Sequence, residues 1–200
     1  MPPLTEEERK TLLALARQAL EEGVLGPLVP REIPDPTPAL TEPRGAFVTL
    51  RKHGQLRGCI GHVQTSEPLY KTVQKCAVAS ALADPRFVSV TPDEVPELHM
   101  EISVLSRPAE ITPEQIVIGE HGLIISQGCR RGLLLPQVPV TWKWDRMQFL
   151  EETCAKAGLP KDAWLRGARI EAFTAEVFEE PPEPPVSPPS QGTIPHVTTS

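Results

Sequence analysis

The chain has 200 residues, 40 % of them hydrophobic, and a formal net charge of -6. That suits one domain with a sizeable core, and the acidic balance argues against a dedicated non-specific nucleic-acid binder, which needs a Lys/Arg excess to neutralise phosphates. No run approaches the ~18 apolar residues of a membrane span, and the polar, acidic Met1–Lys10 does not read as a secretory signal, so the expected address is the cytoplasm.

The first element is a helix. Thr5-Glu6-Glu7-Glu8 fits a capping box, with Leu4 at the staple position and Leu12, Leu15, Ala16, Ala19 and Leu20 at helical spacing. Gly23 is placed to stop it in a left-handed conformation. Pro27–Pro43 is rich in proline, which fixes φ and removes the donor, so it reads as an extended surface strap and not a helix. Gly45–Leu50 and Gln55–Gly61 read as a hairpin turning at His53-Gly54. Ser66 is a candidate cap for a helix with Pro68 in its first turn, running to about Ala83. Leu69, Val73, Cys76, Ala77 and Ser80 share one face of it. Leu98–Leu105 alternates as a strand.

Gly122–Ser126 and Gly132–Leu135 form a second hairpin around Gly128-Cys129-Arg130-Arg131. Asp145 with Gln148 caps a further helix that buries Leu150, Cys154 and Ala157, and Gly158 closes it. Trp144 and Phe149 fit its staple, and the Trp142-Lys143-Trp144 pair reads as core and staple, not a base-stacking platform. Trp164 lies in a short helical turn, and Ala168–Phe178 is a last strand. From Pro181 the chain is Pro- and Ser-rich with almost no large apolar residue, so 181–200 is expected to be a disordered tail after a domain over 1–180. Two hairpins exclude a purely parallel sheet, so the fold class is α+β with an antiparallel or mixed sheet flanked by helices.

Cys59, Cys76, Cys129 and Cys154 contain no Cys-x-x-Cys pair, so reduced thiols are expected, without structural zinc or a disulfide framework. The histidines are scattered, and no metal site is read from them. Leu56-Arg57-Gly58-Cys59-Ile60-Gly61 is the most unusual stretch. Glycines weaken a strand and need a reason: a bulge, close packing, or the approach of a ligand to the backbone. Between them stand a guanidinium and a thiol, two residues apart and so on one face of a regular strand. Arg57 suits an anionic group, and a nearby cation favours the thiolate of Cys59. His62 faces the other way unless the strand ends or bulges at Gly61, which a Cys59–His62 nucleophile–base pair requires. With a two-residue turn, Cys59 lies opposite Val48 as a small core hydrophobe. With a three-residue turn it faces Phe47 and Thr49.

These blocks stand in order with Asp84-Pro85-Arg86-Phe87, Glu101-Ile102-Ser103-Val104-Leu105-Ser106, Gly122-Leu123-Ile124-Ile125, Arg131-Gly132-Leu133-Leu134-Leu135-Pro136-Gln137-Val138, Trp144-Asp145, Phe149-Leu150 and Cys154-Ala155-Lys156-Ala157-Gly158-Leu159. The ordered set, over about Leu4 to Glu180, resembles the AMMECR domain, also called AmmeMemoRadiSam system protein A. The chain departs from the pattern at Pro139-Val140-Thr141, where the family usually has an acidic residue before the aromatic one. The resemblance implies an α+β fold with a larger and a smaller part. It also implies association with a Memo-type partner, itself similar to extradiol dioxygenases, and with a radical-SAM partner. It names no cofactor and no reaction. Arg57 to Gly61 carries the family signature unchanged. The expected binding residues are then Arg57, Gly58, Gly61, Asp84, Arg86 and Gln137, with Cys59 and His62 as the catalytic candidates. The leading expectation is an accessory protein of that system. The alternatives are a cysteine-dependent enzyme and a nucleic-acid-associated module using Arg44, Arg51, Lys52 and Arg57.

Overall fold

A computed structural model describes residues 3–181. The expected tail therefore lies outside the described residues, apart from Pro181. The helices are α1 (Glu6–Leu25), α2 (Pro38–Thr41), α3 (Leu69–Leu82), α4 (Gln137–Trp142) and α5 (Arg146–Lys156). The strands are β1 (Ala46–Lys52), β2 (Gln55–His62), β3 (Leu98–Leu105), β4 (Ala109–Glu110), β5 (His121–Gln127), β6 (Arg130–Leu134) and β7 (Arg169–Glu179). Short 3-10 turns occupy Pro92–Glu97, Pro113–Gln115 and Ala163–Arg166.

The strands form one antiparallel sheet in the order β2-β1-β3-β7-β5-β6, with β4 also against β7, curled into a half-barrel. The long β7 joins its two parts. Arg169–Thr174 pairs with β5, and Ala175–Glu179 pairs with β3. Each part has its own core. Leu12, Leu20, Val73 and Cys76 of α1 and α3 pack on Val48, Leu50, Met100 and Ile102 in the larger. Phe149, Leu150 and Cys154 of α5 pack on Leu123, Ile125 and Ile170 in the smaller. Both helical layers lie on one face of the sheet. The inner face carries Phe47, Leu105, Ile124, Leu133, Phe173 and Ala175 as a third, smaller cluster.

The Thr5–Glu8 and Asp145–Gln148 capping boxes are both present. Gly158 stands after α5 at φ +69. Gly23, however, does not stop α1, which runs on to Leu25 before an extended Gly26. A Cβ on Gly23 would lie 2.6 Å from Val78 Cγ2, so this glycine lets α1 and α3 approach closely. The strap is interrupted by α2, with Pro38 in its first turn, where a missing N–H costs nothing. Ser66 does not cap α3, whose first turn follows Pro68 without a side-chain cap. Trp142 is not core. It is 67 % exposed and stacks on Trp144, with 6.2 Å between ring centroids.

The thiols divide by environment. Burial pushes the Cys76 thiol up to about 12 and raises that of Cys154, while Cys129 is exposed in the β5–β6 turn. Alkylation by iodoacetamide in the native state should therefore be fast at Cys129 and negligible at Cys76 and Cys154. Peptide mapping by mass spectrometry checks this. Labelling of Cys76 at the rate of Cys129 would contradict the packing described above.

Candidate functional site

The β1–β2 hairpin turns on two residues, His53 and Gly54, both at positive φ, 51° and 78°. Lys52 pairs with Gln55 and Arg51 with Leu56, but Leu50 then pairs with Gly58, which leaves Arg57 as the extra residue of a β-bulge. The bulge shifts the register by one. A two-residue turn thus places Cys59 opposite Thr49, not Val48, and the half-buried thiol lies on the inner face. The hydroxyl of Thr49 is 3.4 Å from its sulfur. Turn length alone therefore does not fix the register here.

The glycines are answered by the chain itself. A Cβ on Gly58 would lie 2.0 Å from the Ser80 carbonyl oxygen of α3. One on Gly61 would lie 2.4 Å from the ring of Phe47. Helix α3 comes close enough for the Ser80 hydroxyl to accept from Ile60 N–H (2.9 Å) and donate to the Val48 carbonyl (2.7 Å), bridging the two strands.

Beside it, Asp84 closes the outer rim of β2. Its carboxylate accepts from Cys59 N–H (2.9 Å), Arg86 N–H (3.1 Å) and the Arg86 guanidinium (2.6 and 2.9 Å). The Asp84 side chain is only 2 % exposed, and Arg86 chiefly holds its carboxyl well below the usual carboxylate range. Arg86 itself stays half exposed and lies over the Phe87 ring, 5.5 Å from the centroid.

Arg57 already has its anion. Its guanidinium grips Glu94 through Nε (3.3 Å) and Nη2 (3.0 Å) and donates to the Val88 carbonyl (2.8 Å). This bidentate pair, with help from the Thr91 N–H, holds the Glu94 carboxyl at about 2. Glu94 is not among the sequence-based candidates, although Thr91-Pro92-Asp93-Glu94 is itself a capping-box pattern.

The structure thus brings Arg57, Gly58, Cys59, Gly61, Asp84 and Arg86 together. It does not bring His62 to Cys59. The bulge falls at Arg57, the strand runs on through His62 opposite Ala46, and the two side chains leave opposite faces. Gln137 lies elsewhere, at the start of α4. There it helps line a cleft of about 680 Å³ on the inner sheet face, with Arg51, Glu101, Ser103, Glu120, Val140 and Val177. Of the arginines and lysine named for nucleic acid, Arg44 is buried, Arg57 pairs with Glu94, and Lys52 lies between Glu94 and Glu97 (3.5 and 3.3 Å). Of those four, Arg51 alone is neither buried nor ion-paired among the described residues. Among the described residues, no helix is long and apolar enough to cross a membrane.

An antiparallel half-barrel with α1, α3 and α5 on one face, and a bulged glycine–cysteine strand clamped by Asp84 and Glu94, defines an α+β domain of the AMMECR type. The chain belongs to the AMMECR1 family, whose model matches residues 13–178. A protein of Thermococcus gammatolerans is 44 % identical over 189 residues, covering 88 % of this chain and 92 % of that one. One of Methanothermobacter thermautotrophicus is 41 % identical over 189 residues, covering 89 % and 97 %. The crystal structure of PH0010 from Pyrococcus horikoshii matches with a TM-score of 0.76 at 43 % identity, over 88 % of this chain and 93 % of that one.

Proposed function

We propose that this protein is a partner-binding accessory member of a three-protein set. It docks a Memo-type, extradiol-dioxygenase-like protein and a radical-SAM protein through the outer rim of β2. The observation that carries this reading is the state of the signature strand. Arg57, Gly58 and the Cys59 N–H are committed to internal partners, and His62 stands on the other face from Cys59. What the rim offers is a surface. Val88 is 83 % exposed, Leu56 and Leu82 are exposed beside it, and the half-exposed Arg86 adds a cation. The Arg57–Val88 and Ser89–Leu82 hydrogen bonds gather these residues into one patch. A contiguous exposed apolar patch with an arginine beside it is a feature of protein-interaction surfaces.

Val88→Glu should weaken either complex by about 2 kcal/mol, roughly thirtyfold. Because Val88 is solvent-facing, the melting temperature should not change. Titration calorimetry of the full chain against each purified partner measures this. Wild-type affinity in Val88→Glu, or no complex with either partner, would remove the reading. Turnover of a substrate by the isolated chain that is lost in Cys59→Ala would replace it with a cysteine-dependent enzyme.

A further inference from the structure

Most charged side chains near the sheet are paired within the chain: Arg9 with Glu176, Arg17 with Glu180, Arg57 with Glu94, and Arg86 with Asp84. Arg51 on β1 and Glu101 on β3 differ. Both are half-buried, and neither forms an ion pair within 4.0 Å among the described residues. Yet they are close neighbours. Thr49 pairs with Glu101 and Arg51 with His99, so the two sit on a sheet diagonal, where side chains start about 7–8 Å apart. Both line the 680 Å³ cleft beneath α4.

We propose that this cleft binds a small molecule through an α-amino-acid headgroup, with its carboxylate on Arg51 and its ammonium on Glu101. The inference goes beyond the docking role, uses different residues, and needs no partner. Charge selects the ligand class. Among the described residues, the cleft lining carries one cation, Arg51, against two carboxylates, Glu101 and the exposed Glu120. A phosphate or simple carboxylate that reached Arg51 would meet both acids. A plain amine would leave Arg51 desolvated without an anion. A headgroup with both charges on one carbon satisfies the diagonal pair together, with the planar guanidinium fork matched to the carboxylate.

The remaining lining fits such a ligand. Ser103, 7 % exposed, supplies a hydroxyl on the floor. Gln137 of α4 supplies an amide at the wall, and Val140 and Val177 offer apolar contact for the side chain. The volume exceeds that of one headgroup, leaving room for that side chain.

The test is titration calorimetry of the full chain with the free α-amino acids. Alkyl carboxylates and alkylamines of equal chain length serve as controls. At least one amino acid should bind, with either control about tenfold or more weaker. Arg51→Gln and Glu101→Gln should each cost about tenfold or more, the loss of one charge-assisted contact. If those variants fold poorly, Val140→Trp decides, since this exposed position fills the cleft without touching either core. No heat with any amino acid up to about 10 mM would overturn the proposal. So would equal binding of a control, or undiminished binding in Val140→Trp. Partner affinity in the same variants is expected to be unchanged, so failure here and failure of the docking role are separable.

Discussion

Gly58→Ala is expected to lower the stability of the folded chain by about 3 kcal/mol, the upper range for forcing an extra carbon into a packed site. The sign is the informative part. Alanine in place of glycine inside a strand ordinarily stabilises by about 0.5–1 kcal/mol, by restricting the unfolded chain. Here the added Cβ would stand 2.0 Å from the Ser80 carbonyl oxygen, a backbone atom that no rotamer change can move. Relief requires α3 to back away from the hairpin. That would pull the Ser80 hydroxyl off Ile60 N–H and the Val48 carbonyl, leaving buried polar groups unsatisfied. Urea unfolding of wild type and variant, with equal m-values, gives the number. A neutral or stabilised Gly58→Ala would mean that the glycine is kept for something other than helix approach. Ser80→Ala should show part of the same loss, since the bridge goes but the space remains.

That single contact also explains what could and could not be read from the sequence. Elements whose period matched their burial were legible. Leu98, Met100, Ile102 and Val104 alternate and are all buried. Leu69, Val73, Cys76, Ala77 and Ser80 share one helix face and are all buried. Caps with a side-chain mechanism, Thr5–Glu8 and Asp145–Gln148, were legible for the same reason. Gly23 was misleading, because a glycine that ends an element and one that admits another element look alike in one dimension, whereas Gly58 left close packing and ligand approach both open until the fold places α3 against it.

The register of β2 was hidden for a related reason. A bulge at Arg57 adds one residue, and Gly58 beside it signals a bulge without fixing its place; that one residue moves Cys59 from the core face to the inner face. The site was half legible. The segments Arg57–Gly61 and Asp84–Arg86 do meet, over a sequence separation of 25 between Cys59 and Asp84. The partner of Arg57 could not be chosen from sequence, since Glu94 competes with every other acid in the chain until the fold brings it within 3.0 Å. The diagonal Arg51–Glu101 pair depends on the β1–β3 register, which no local pattern carries.

Acid should unfold this protein through the same clamp. A carboxylate whose folded pKa lies below its unfolded value stabilises the fold at every pH above the unfolded value. That contribution is withdrawn as pH falls through the folded one. Glu94 is held at about 2 against an ordinary 4.5, chiefly by Arg57. Asp84 is also lowered, chiefly by Arg86, with Cys59 N–H adding to it. Both shifts have the same sign, so stability should be flat from neutral pH to about 5 and then fall steadily to about pH 2.

Asp84→Ala should cost about 3 kcal/mol at pH 7, chiefly the penalty for stranding the Cys59 N–H at the rim. Arg86 adds little to that penalty, because at 54 % exposure it is free to turn to solvent. Asp84→Asn keeps an acceptor for the Cys59 N–H but loses the charge, so it should cost less at pH 7. Combined with Glu94→Gln it should remove much of the acid slope, since neither amide titrates. Thermal melts of wild type and the double variant from pH 7 to about pH 2 separate the outcomes. Curves that converge at low pH place the acid sensitivity in the two carboxylates that clamp β2. Parallel curves would place it in carboxylates elsewhere in the fold.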